Sequence, residues 1–131
     1  MDNRFKFRVF ISNKMYEVFY FYKAENGVIF ACTNLKENTG FNIDGSTFMQ
    51  CTGLKDKNSK LIYNGDIVKR QNRHIGVVIF ESGCFKIKWQ DGVYYQNARH
   101  IDDYQASSLE IIGNIYENSE LLEINKWIKL K

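Results

Sequence analysis

Apolar and polar residues alternate from Arg4 to Ile11. Phe5, Phe7, Val9 and Ile11 fall on one side, and Arg4, Lys6 and Arg8 on the other. A period of two predicts a half-buried strand. Ser12-Asn13-Lys14 predicts a turn. Met15 to Tyr22 (MYEVFYFY) predicts a second strand, apolar on both faces and therefore deeply buried or part of an interface. After Glu25-Asn26-Gly27, Val28 to Cys32 predicts a third, and the three would form an antiparallel meander. Residues 33–45 lack a period and read as a loop, and Ser46 to Cys51 as a short strand.

The stretch Met49 to Lys69 organises the centre of the chain. Lys55 to Lys60 is too polar to expect burial, and its Asp and Asn side chains can close a turn. Leu61-Ile62-Tyr63 returns to the core. Asn64-Gly65-Asp66 then turns, with Gly65 expected at positive φ and the Asp66 carboxylate tied to nearby backbone N–H groups. Ile67 to Arg70 continues as a strand.

His74 to Phe80 is a strand in which Gly76 predicts a bulge or bend. After Glu81-Ser82-Gly83, Phe85, Ile87 and Trp89 alternate with Cys84, Lys86 and Lys88, which predicts one core face and one basic, exposed face. Asp91-Gly92 is a strong hairpin signal before a return strand from Val93 to Gln96. Residues 97–108 read as a polar loop, and Leu109 to Tyr116 as the last strand. Asn118 is a plausible cap for a short C-terminal helix bearing Leu121, Ile124 and Ile128.

Short strands at this spacing predict an all-β fold: an N-terminal antiparallel β-meander, then an SH3-like small barrel and the terminal helix. A break inside residues 33–60 gives two lobes, 1–50 and 51–131. Composition agrees, since the 131 residues include 10 Phe, 8 Tyr and 2 Trp and no proline.

A formal net charge of +3 is too small by itself to argue for nucleic acid. Its distribution is uneven. Residues 60–100 hold seven Lys and Arg against three acids, and residues 101–131 hold six acids against three lysines. Lys69, Arg70, Arg73, Lys86 and Lys88 are therefore the candidate polyanion face, with Tyr94 and Tyr95 as possible stacking rings. The alternative is ordinary solvated strand lysines. A second candidate is a protein interface made of Phe10, Phe19, Tyr20, Phe21 and Tyr22, too many rings for a small meander to bury.

Reactive chemistry is sparse. Cys32, Cys51 and Cys84 are far apart and make no CxxC, and nothing resembling a signal peptide precedes them, so free thiols in a cytosolic protein are expected. His74 and His100 stand at no ligand spacing with Cys51 or Cys84, so no metal or cofactor is expected. His74 or His100 with Cys84 and Asp102 or Asp103 can be drawn as a nucleophilic set, but no spacing supports it. Asp102 and Asp103 are neighbours, so on a strand they would point to opposite faces. Phosphate-loop motifs are absent, and no apolar run approaches the roughly 18 residues of a membrane span. The expected role is non-enzymatic binding of a macromolecule. A protein, including a second copy of the chain, is expected before nucleic acid.

Thr52-Gly53-Leu54-Lys55-Asp56-Lys57-Asn58, followed by Ile62-Tyr63 and Gly65-Asp66-Ile67-Val68, resembles the YopX family of small phage and prophage proteins. Ile112-Gly113-Asn114-Ile115-Tyr116-Glu117-Asn118, followed by Glu120-Leu121-Leu122, does so too, as do the Lys6-Phe7-Arg8 opening and Lys14-Met15-Tyr16. The chain departs from the family at Val9-Phe10-Ile11, where an Ala-Trp-Asp-like step is usual. It also has Cys51 for an aromatic, Ser59 for a glycine and Ser119 for a proline. The resemblance implies a β-rich fold, a phage or prophage origin and a place in the bacterial cytoplasm, where a host or phage protein is a candidate partner. It implies no activity. Its motifs are rich in Gly, Asn and Asp, residues that shape backbone, and they read as fold determinants rather than as a site.

Overall fold

A computed structural model describes residues 5–32, 40–42, 48–71, 74–90 and 101–122. They build an all-β protein in which every recorded strand pairing is antiparallel. The chain divides into two compact units, residues 1–51 and 52–131.

In the first unit, β1 (Phe7–Ile11) and β2 (Lys14–Val18) form a hairpin. Ser12 and Asn13 both stand at positive φ, 52° and 65°, the pair of left-handed residues that a tight primed turn needs. The start of β6 (Phe48–Lys55) pairs with the other edge of β1. Three further strands, β3 (Tyr20–Lys23), β4 (Ile29–Cys32) and β5 (Gly40–Asn42), make a separate sheet in that order. The predicted meander is therefore corrected. The single strand expected from Met15 to Tyr22 breaks at Phe19, and its halves join different sheets. β5 lies in a segment that reads as loop, because three residues are too few to show a period.

In the second unit, the end of β6 meets β7 (Leu61–Tyr63), where Thr52 Oγ1 donates to the Ile62 carbonyl at 2.9 Å. A second sheet runs β10-β9-β8-β11. Its strands are β8 (Asp66–Arg70), β9 (His74–Glu81), β10 (Cys84–Trp89) and β11 (Leu109–Asn114). The core is Ile62, Val68, Val78, Ile87, Trp89, Ile101, Ala106 and Leu109.

Two of these core residues flank a helix that the sequence does not announce. α1 (Asp103–Ala106) sits in the stretch that reads as a polar loop, and its Ala106 is fully buried. Asp102 caps it by accepting the Gln105 N–H at 2.8 Å. One turn is too short to leave an amphipathic signature, which is why the pattern misses it. The C-terminal helix begins where Asn118 predicts, at residues 120–122, with the Leu121 N–H donating to the Asn118 carbonyl. Ile124 and Ile128 lie outside the described residues.

Asp56 overturns the expectation that Lys55–Lys60 holds nothing buried, for it is only 4 % exposed. Its carboxylate accepts the N–H groups of Asn58 (2.8 Å), Lys60 (2.9 Å) and Ile111 (3.0 Å). Three such donors satisfy a buried anion. Asp66, also buried, accepts the Tyr63 N–H at 2.7 Å, and Gly65 stands at φ 92°, both as the turn predicts. Asn114 Oδ1 accepts the Tyr116 and Glu117 N–H groups, while Asn118 Oδ1 accepts the Asn114 N–H.

Candidate functional site

Strand register sorts the predicted basic face. In β9–β10, Lys88 pairs with Val77 and Lys86 with Ile79. In β8–β9, Lys69 pairs with Ile75 and Arg70 with His74. Side chains alternate across a strand, so Lys69, Lys86 and Lys88 share one face of the sheet with Ile75, Val77 and Ile79. Arg70 projects from the opposite face, with Val68, Val78, Ile87 and Trp89. Of the five candidate polyanion residues, Lys69, Lys86 and Lys88 thus share a face, and Arg70 is corrected to the other. Arg73, Tyr94 and Tyr95 lie outside the described residues. Lys86 Nζ approaches Glu81 at 3.7 Å. Beside Lys69, Glu110 pairs with Lys57 at 3.0 Å. The Lys57 ammonium, bonded to Glu110 and close to it in charge, holds that carboxyl below the usual carboxylate range, and Lys69 adds to the effect.

Arg70 lies over the Trp89 ring, its guanidinium carbon 4.9 Å from the centroid. His74 meets the same indole edge-on, with centroids 6.3 Å apart and planes at 74°. A cleft of about 240 Å³ opens there, lined by Arg70, Gln71, His74 and Trp89. The predicted bulge at Gly76 is absent: β9 keeps continuous register with both neighbours. Gly76 instead makes room. A Cβ at that position would sit 2.6 Å from Ile87 Cγ2 and 2.9 Å from Trp89 Cε3. The glycine lets the indole lie across its strand.

The aromatic residues of the first unit also divide by strand alternation. Phe21 packs among Phe7 and Phe48, with centroids 5.2 and 5.4 Å away. Tyr20 and Tyr22 take the other face of β3, where Tyr22 stacks on Phe30 at 5.0 Å. Phe19 is 53 % exposed, Tyr22 48 % and Tyr20 38 %. Phe10 is half-buried. Of the five predicted interface rings, the structure leaves Phe19, Tyr20 and Tyr22 open to solvent and turns Phe21 inward. Phe30, half-buried beside Tyr22, shares that face and was not selected by sequence reasoning. A hydrogen bond to the Cys32 side chain, with lesser desolvation, pushes the Tyr20 phenol above its ordinary value.

The His74 form of the drawn nucleophilic set does not assemble. Cys84 pairs with Glu81 at one end of the β9–β10 hairpin, and His74 stands at the other. The seven-residue offset along β9 is about 23 Å of extended chain. The Cys84 thiol contacts the Glu81 carbonyl at 3.7 Å. His100 lies outside the described residues. Asp102 is spent as a helix cap and Asp103 begins that helix. Among the described residues, no three His, Cys, Asp or Glu side chains converge to hold a metal. No described helix is long and apolar enough to cross a membrane.

These features define a small all-β protein. The family model for the YopX protein matches residues 6–123, and the chain belongs to the YopX family. It is similar in structure to the protein EF1440 from Enterococcus faecalis, known from a crystal structure. That match has 26% identity and a TM-score of 0.52, and covers 89% of this chain and 96% of the other. No curated protein matches it. Within the motifs that resemble the family, Asp56, Gly65, Asp66, Asn114 and Asn118 hold turns.

Proposed function

We propose that this protein is a non-enzymatic accessory protein of a phage or prophage. It acts in the bacterial cytoplasm by binding protein, and it associates first with a second copy of itself through the outer face of β3 and β4. The observation that carries this reading is the solvent-facing pair Tyr20 and Tyr22 on one face of β3, Tyr22 stacked on Phe30, with Phe19 exposed just before the strand. Rings gathered on one strand face offer large apolar area at little entropic cost, which is the composition of interface centres. β3 is also an edge strand of its sheet, so its outer backbone groups can pair with another strand.

A nucleic-acid role is supported less well. Among the described residues the basic face holds three lysines, and two of them have a carboxylate at hand. Light scattering across a concentration series tests the proposal. A dimer or larger species is expected for the native chain, and a monomer for the Phe19→Ser, Tyr22→Ser double variant. A native chain that stays monomeric at high concentration, with no protein partner recovered from infected cells, would sink it.

A further inference from the structure

Two Asn-Gly pairs fall among the described residues, Asn26-Gly27 and Asn64-Gly65. An asparagine amide carbon and the next backbone nitrogen can close a small ring, a reaction driven by their proximity. Glycine in the second position leaves that nitrogen open, because no Cβ shields it. The fold treats the two pairs differently.

Asn26-Gly27 lies in the turn between β3 and β4, and both residues are exposed. Gly27 stands at φ 90°. Apart from its chain neighbours, no atom of the described residues comes within 4 Å of the place a Cβ there would take. The Gly27 N–H donates within the turn to the Ala24 carbonyl at 2.9 Å, a bond that water can replace at this exposed position. Asn26 Oδ1 accepts the Val28 N–H at 3.0 Å. That donor meets the oxygen on which negative charge builds when the amide carbon is attacked, as backbone N–H groups do in oxyanion sites. Asn64-Gly65 is held instead. Gly65 is buried, its N–H donates to the Val78 carbonyl at 2.8 Å, and its carbonyl accepts the Ile115 N–H at 2.9 Å. Attack by the Gly65 nitrogen would break a buried hydrogen bond.

We propose that Asn26 is a site of spontaneous deamidation and that the fold protects Asn64. The Gly27 nitrogen attacks Asn26 Cγ as it gives up its proton. A C–N bond forms, the Cγ–Nδ2 bond breaks, and the amide leaves as ammonia with that proton. The resulting succinimide takes up a water molecule. Addition at Cγ gives aspartate. Addition at the Asn26 backbone carbonyl carbon gives isoaspartate, with the main chain rerouted through the side chain. Either product exchanges a neutral amide for a carboxylate, so the formal net charge falls by one from +3. The new charge lies beside Glu25, at the end of the strand pair that carries Tyr22 and Phe30. The reaction needs nothing of the self-association proposed above and stands independently of it.

The test incubates the intact chain in mildly alkaline buffer, folded and in urea, and maps its peptides by mass spectrometry over time. In the folded chain Asn26 should convert to aspartate and isoaspartate at least about tenfold faster than Asn64, and in urea the two rates should come within about threefold. Gly27→Ala sets a methyl group beside the attacking nitrogen and should slow Asn26 about tenfold in urea, where the fold of the turn plays no part. Equal rates at Asn26 and Asn64 in the folded chain would overturn the proposal. So would an Asn26 that keeps its amide in the folded chain while converting in urea, or one that converts as fast in Gly27→Ala as in the native chain.

Discussion

Asp56 Oδ2 accepts the backbone N–H of Ile111 at 3.0 Å, across 55 residues of sequence. The same carboxylate closes its own turn through Asn58 and Lys60. One buried anion therefore ties the turn after β6 to the bulge of β11, where register shifts between Ile111 and Gly113. The Lys57 N–H, donated to the Leu109 carbonyl at 2.9 Å, fastens the same two segments.

Asp56→Ala should accordingly destabilise the protein by about 2 kcal/mol, since three part-buried N–H groups lose their acceptor. Asp56→Asn should recover part of the loss, because its amide oxygen still accepts. Urea unfolding of the three proteins checks the order. A loss below about 1 kcal/mol for Asp56→Ala would mean that water replaces the carboxylate with ease.

Ser59 occupies φ 65°, a left-handed position that favours glycine. Ser59→Gly relieves a left-handed side chain and should raise stability by about 0.5–1 kcal/mol. The urea midpoint should rise with the slope unchanged. A lower midpoint would show that the serine side chain supports this turn.

Gly76→Ala should cost about 1–3 kcal/mol, because the methyl group would enter the contact with Ile87 and Trp89. Trp89 must shift to admit it, so the cleft is disturbed as well as the core. The Arg70 Nε–H and Trp89 indole resonances should both move in the variant spectrum. If neither moves, the indole does not depend on the missing Cβ.

Glu110 contributes to stability in a pH-dependent way through Lys57. Its carboxyl is held below the usual value in the folded protein. The contribution is therefore complete above the unfolded carboxylate's ordinary pKa, about 4.5, and is lost as pH falls through the lower folded value. In Lys57→Ala the Glu110 pKa should move up toward the ordinary range, as followed by carboxyl NMR. The acid limb of the stability profile should then lose part of its slope. The pair is open to solvent, so the effect is small and fades with added salt. An unchanged Glu110 titration in Lys57→Ala would show that Lys69 supplies the whole effect.

Local pattern carried much of the fold. The alternation of Phe7, Val9 and Ile11, of Phe85, Ile87 and Trp89, and the turns at Ser12-Asn13, Gly65 and Ser82-Gly83 all stand in the structure where the residues place them. The break at Phe19 was not legible, because MYEVFYFY suits a strand at every position and nothing local says where one sheet ends. Nor was α1, a single turn without a period.

The candidate sites were legible only as lists. Lys69 and Arg70 are neighbours in sequence and were grouped by charge, yet the pleat sends them to opposite faces, and only pairing with β9 says which companions each acquires. Gly76 read as a bend because composition cannot reveal that an indole from β10 needs its missing Cβ.

The order of residues by itself determined which segments extend, which corners turn and which motifs mark the YopX family, since these follow from side-chain alternation and backbone preference within a few positions. Tertiary structure alone decided that Asp56 is buried, that Phe21 points inward while Tyr22 stays open, and that Arg70 rests on Trp89. Each of these depends on partners supplied by distant strands, and no local preference encodes what a strand will meet.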